Sequence, residues 1–101
     1  MAPPSAREVG IDVDAGRRVS GLLRMPAQAR CCYVLAHGAG AGMTHAFMAS
    51  AASELAERGI ATLRYQFPYM EQGGKRPDPP ALAHATVRAA VAAATRLAPG
   101  L

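Results

Sequence analysis

A histidine followed by alternating glycines, His37-Gly38-Ala39-Gly40-Ala41-Gly42, closes the apolar run from Cys31 to Ala36 and leads into a helical pattern. Three chemistries place glycines between a strand and a helix, and their companion residues separate them. A phosphate-binding P-loop needs Gly-Lys-Ser or Gly-Lys-Thr at its end, whereas Gly42 is followed by Met43 and Thr44. A dinucleotide fingerprint read from Gly38 needs a small residue where Met43 stands and an acid closing the next strand, which ends in Tyr65-Gln66. An oxyanion loop makes no further local demand: its backbone N–H groups point to where a tetrahedral acyl intermediate carries its negative charge. A Gly-x-Ser-x-Gly turn, which sets a serine nucleophile beside such a loop, occurs nowhere between Met1 and Leu101.

The elements that would position this loop follow from periodicity and turn residues. Val9, Ile11 and Val13 alternate with small or acidic neighbours, and Val19 to Met25 follow the turn signal Asp14-Ala15-Gly16, which together predict a β-hairpin. Cys31 to Ala36, nearly continuous in apolar residues, reads as a buried central strand covered on both faces. Thr44 can cap a helix whose apolar positions are Phe47, Met48, Ala51, Ala52 and Leu55, and Gly59 ends it. Ile60 to Tyr65 then read as another strand, so strand, helix and strand span the length of a parallel crossover unit. Gln66 to Pro80, rich in Pro and Gly, reads as a long surface loop. Asp78 and Pro79 suit the cap and first position of a second helix, whose stripe is Leu82, Thr86, Ala89, Ala90, Ala93 and Leu97.

The His-Gly-Ala-Gly stretch at 37–40 and the second motif Arg64-Tyr65-Gln66-Phe67-Pro68-Tyr69 give the chain a resemblance to the α/β-hydrolase superfamily, and within it to dienelactone-hydrolase-like predicted hydrolases. The resemblance runs from about Glu8 to Leu97 and covers the amino-terminal half of such a domain. It implies an α/β fold, a partial α/β-hydrolase in which an antiparallel hairpin leads into a mostly parallel sheet with two helices. The implied sheet order is the two hairpin strands, then the strand at Ile60, then the strand at Cys31 with a bare outer side. It also implies that Ala39, with Gly40, offers the oxyanion-hole amides, that Gly38 permits the turn, and that His37 braces the loop rather than acting as catalytic base. His45 and His84 read as solvent-facing.

The family's nucleophile, acid and catalytic histidine follow in later elements, and no residue here takes a catalytic part. Ser5, Ser20, Ser50 and Ser53 fall in a tail, a hairpin strand and a helix, none on a strand-to-helix elbow. Two functions from different classes follow. In the first the chain supplies the oxyanion loop of an enzyme that hydrolyses a small-molecule ester or related acyl bond. In the second it is a non-catalytic scaffold or binding partner that uses the exposed sheet edge. A bare apolar strand invites self-association or completion by the missing second half.

Composition limits the alternatives. At 101 residues the chain is expected to form one incomplete domain over 8–98, with 1–7 as a flexible tail. Half the residues are apolar and 18% are charged, which reads as globular. The net charge of +4 comes from arginines scattered over every element, without a basic run, so no nucleic-acid partner is expected. No apolar stretch approaches a membrane span, and the amino terminus lacks a signal-peptide core; a cytoplasmic protein without a membrane partner is expected. Cys31 and Cys32 point to opposite faces of one strand, cannot easily bridge, and read as two buried free thiols in a reducing compartment. No metal site and no cofactor are expected.

Overall fold

The computed structural model describes residues 6–38 and 42–101. Strands β1 (Arg7–Asp14) and β2 (Arg17–Arg24) form an antiparallel hairpin. Its turn is fixed by Asp14, whose Oδ1 accepts the Gly16 N–H at 3.0 Å. This is the short-range bond that makes Asp a turn residue. β3 (Cys31–Ala36), α1 (Ala46–Glu57) and β4 (Ile60–Tyr65) follow as a parallel crossover. Gly59, at φ +76°, takes the left-handed conformation that ends α1, and its carbonyl accepts the Arg30 N–H at 2.8 Å.

The sheet order is β1-β2-β4-β3, the order that the resemblance implied. Two particulars differ from expectation. The sheet is mixed rather than mostly parallel, because among the described residues β1–β2 and β2–β4 pair antiparallel and only β3–β4 pairs parallel. There are also three helices among the described residues: α2 (Pro68–Glu71) interrupts the segment read as loop, ahead of α3 (Pro80–Leu97). β1 begins at Arg7, one residue inside the stretch read as tail, and Met1–Ser5 lie outside the described residues.

β4 lies inside the sheet and is buried along most of its length. Ala61, Leu63 and Tyr65 point toward α3, where Leu63 and Tyr65 join Ile11, Val19 and Leu23 against Ala90, Ala93 and Ala94. Alanines on that face let α3 lie close to the sheet, so the core is thin. Thr62 and Arg64 point the opposite way, to the face they share by register with Tyr33 and Leu35 of β3. There α1 buries Met48, Ala52 and Ala56.

β3 is not the covered central strand that its apolar run suggested. It pairs only with β4 among the described residues, Tyr33 is 54% exposed, and Phe47 on α1 beside it is 75% exposed. Every β3 side chain is exposed or only partly buried. The thiols follow suit: both are free, Cys31 is exposed, and Cys32 is half-buried against the core. Partial burial, with Cys31 alongside, pushes the Cys32 thiol pKa up. The helix caps also differ. His45, not Thr44, caps α1, its Nδ1 accepting the Phe47 N–H at 3.2 Å. Pro79 rather than Asp78 precedes α3.

Candidate active-site loop

His37 and Gln66 stand side by side where the parallel strands β3 and β4 end, since Ala36 pairs with Tyr65. In open α/β sheets the crevice beyond these carboxyl ends is where ligands bind. His37 is 6% exposed and makes two bonds there. Its Nε2 accepts the Phe67 N–H at 3.0 Å, and Nδ1 lies 2.8 Å from the Gly38 carbonyl. An acceptor at Nε2 and a carbonyl at Nδ1 assign the neutral ring with its proton on Nδ1. The ring also meets Phe67 edge-on at 5.2 Å and Tyr69 at 5.7 Å. Both nitrogens are thus occupied within the chain, which suits a brace and leaves no free base.

The far side of the loop is held from the same second motif. Arg64, 4% exposed, donates from Nη1 to the Met43 carbonyl at 3.2 Å. Burial, and then the charge of Arg24, lower the Arg64 pKa from its ordinary value. Gly42 sits against Gln66 and Met70: a Cβ there would lie 2.9 Å from Gln66 Oε1 and 3.4 Å from Met70 Cγ. At Gly38 a Cβ would meet nothing within 4 Å and φ is not positive, so of these two glycines Gly42 is the closely packed one, its nearest neighbour the movable end of Gln66. His37 and Arg64 therefore grip the chain on either side of 39–41. Ala39 and Gly40, the oxyanion candidates, lie outside the described residues.

Two acids secure the second motif: Glu71, which the sequence reading left in a loop, and Asp78, which it read as a helix cap. Glu71, at the end of α2, accepts from the Ser20 N–H at 2.8 Å, the Ser20 hydroxyl at 2.9 Å and Gln66 Nε2 at 3.2 Å. Desolvation opposes its charge, but these bonds together hold its pKa below the ordinary carboxylate value. Asp78 Oδ2 accepts the Tyr69 N–H at 3.1 Å, satisfying an orphan donor in the first turn of α2 rather than capping α3. The local signal for α2 was Pro68 at its first position with an acid in the first turn.

The Glu71 bonds predict an acid-sensitive clamp. Because the folded pKa is depressed, the stabilisation is present above the unfolded carboxylate value and is lost as pH falls through the folded one. Glu71→Gln is expected to cost about 1 kcal/mol at pH 7, the discount for solvent exposure included. Urea denaturation should show the gap between wild type and variant closing at acid pH. A gap that stays constant down to pH 3 would remove Glu71 from the clamp.

Between α2 and α3 lies a cleft of about 200 Å3 lined by His37, Phe67, Tyr69, Pro77, Asp78 and Ala83. An apolar trough along the bare side of β3 is lined by Tyr33, Leu35, Phe47, Ala51 and Leu55 with Glu54 and Arg58. Among the described residues no helix is long and apolar enough to cross a membrane. His84 is exposed on α3, and His45 is exposed at the start of α1.

A family model described as an alpha/beta hydrolase domain matches residues 29–100, which include both motifs. Among curated proteins none matches. Among solved structures, a cold-adapted esterase from an Arctic intertidal metagenomic library, in a PEG-bound complex, is similar at 24% identity and a TM-score of 0.64. The alignment covers 91% of this chain and 43% of the esterase chain, so the chain spans less than half the length of that neighbour.

Proposed function

Because the chain belongs to the alpha/beta hydrolase domain family, we propose that it supplies the oxyanion loop and part of the substrate rim of an enzyme that hydrolyses small-molecule esters or related acyl bonds. The observation that carries this reading is the grip on both sides of 39–41, by His37 through Phe67 and by Arg64 through Met43. Oxyanion stabilisation works through donors fixed before the charge develops, and a loop anchored at both ends meets that need. On this reading Ala39 and Gly40 provide the amides, His37 and Gly38 support them, and the nucleophile, acid and catalytic histidine come from outside these residues.

The partner in this reading is the remainder of the hydrolase domain, which continues the sheet at β3. On the α1 side that edge carries uncovered apolar side chains, Tyr33 and Phe47, which line a trough with Leu35, Ala51 and Leu55. Such a trough suits an added strand with an apolar face. The 43% coverage of the esterase chain leaves ample sequence for it.

The test begins with the coding DNA. Beyond the codon for Leu101 the proposal expects a Gly-x-Ser-x-Gly stretch within a few dozen codons, and the extended protein should hydrolyse p-nitrophenyl acetate. Exchanging that serine for alanine should cut turnover by at least ~10³-fold. A stop codon after Leu101, with no hydrolysis, would favour the non-catalytic scaffold.

A further inference from the structure

The cleft beside His37 has a chemical character that narrows what an acyl ester bound here can carry. We propose that it is a subsite for an uncharged apolar group of about phenyl size, and that it turns away carboxylates; the proposal rests on the hydrolase reading and adds its substrate class.

Position comes first. The cleft touches His37, the residue directly before Gly38, so a group seated in it lies at the strand end from which the glycine stretch departs. Its walls are the rings of Phe67 and Tyr69, together with Pro77 and the small Ala83. His37 contributes ring carbon rather than a polar nitrogen, because Nε2 is taken by the Phe67 N–H and Nδ1 faces the Gly38 carbonyl. An apolar site with few polar groups is the usual form of a small-molecule pocket. A dry cavity of roughly 150 Å3 is known to hold benzene. The volume here, about 200 Å3, therefore accommodates a phenyl ring or a short branched acyl chain.

Charge decides the exclusion. Asp78 is the charged side chain among the lining residues, and its Oδ2 is held on the Tyr69 N–H. The ion pairs among the described residues, Arg17–Asp14 and Arg18–Asp12, lie on the hairpin and leave Asp78 unneutralised by a cation. A second carboxylate entering this apolar cleft meets like charge without a counter-ion, whereas a neutral group meets only rings and alkyl carbon. Ala83 sets the room available, since any larger side chain on that turn of α3 fills it.

The experiment titrates the 15N-labelled chain with benzyl alcohol and with benzoate, following the amides of Phe67, Tyr69, Asp78 and Ala83. Benzyl alcohol should give saturable shifts at these amides, with millimolar affinity, and benzoate should bind at least ~10-fold more weakly. Asp78→Asn, which keeps an acceptor for the Tyr69 N–H, should bring benzoate to within about threefold of the alcohol. Ala83→Phe should abolish the shifts, and Ala83→Leu serves the same purpose if the larger side chain unfolds the protein. Absence of saturable shifts, shifts unchanged in the filled variant, or equal binding of the two probes would overturn the subsite. Because the readout is binding, its failure leaves the hydrolase reading intact, and a failed ester assay leaves the subsite intact.

Discussion

Replacing His37 with alanine should lower the free energy of unfolding by about 2–4 kcal/mol, measured by urea denaturation at neutral pH. The change strips the acceptor from the Phe67 N–H, removes the ring contacts to Phe67 and Tyr69, and leaves a void at a side chain only 6% exposed. An unsatisfied, shielded donor alone costs roughly 1–3 kcal/mol, and each aromatic pair adds roughly 0.5–1.5 kcal/mol beyond burial. His37→Phe separates the two: it keeps a ring but supplies no acceptor, so its loss should be smaller, at about 1–3 kcal/mol. Equal stability of His37→Ala and wild type would mean that the bond to Phe67 contributes nothing.

Leu63→Ala should cost about 2–5 kcal/mol and push much of the population toward the unfolded state at moderate temperature. Leu63 is fully buried at the middle of β4, between the hairpin strands and α3. Its neighbours Ala90, Ala93 and Ala94 are too short to relax into the space, so the cavity term is added to the lost transfer energy. A domain of this size holds only ~5–15 kcal/mol in all, so a thin core feels one leucine strongly. Thermal unfolding followed by circular dichroism checks this; a loss under about 1 kcal/mol would show that α3 collapses onto the sheet after all.

The strands, α1 and α3 were legible because each rests on short-range signals: alternation in β1, the Asp14 turn, Gly59 behind α1, and a 3.6-residue stripe in α3 that the structure buries at Thr86, Ala90 and Ala93. The strand order came with the family resemblance, carried by residues 37–40 and 64–69, and not from periodicity. The apolar run alone hid the exposure of β3, since it reports what a strand can be buried against and not whether a neighbour is present; the bare outer side came only with the strand order that the resemblance implied. α2 was missed for a different reason. Four residues cannot nucleate a helix by propensity. This one is held by Glu71 reaching Ser20, 51 residues away, and by Asp78 on the Tyr69 N–H. Arg64 opened the second motif without a role of its own in the sequence; only the fold shows that its side chain is buried and reaches Met43.

These pieces give the two motifs a common purpose. Residues 64–69 supply the partners that fix both ends of the glycine segment, and the fix on the histidine side passes through one N–H···N bond. The most direct test is a through-bond 15N–15N coupling across that hydrogen bond, from the Phe67 amide to His37 Nε2, in the uniformly 15N-labelled chain. The account predicts a resolved coupling with the His37 ring proton on Nδ1. A His37 ring protonated on Nε2, with no coupling to Phe67, would contradict it.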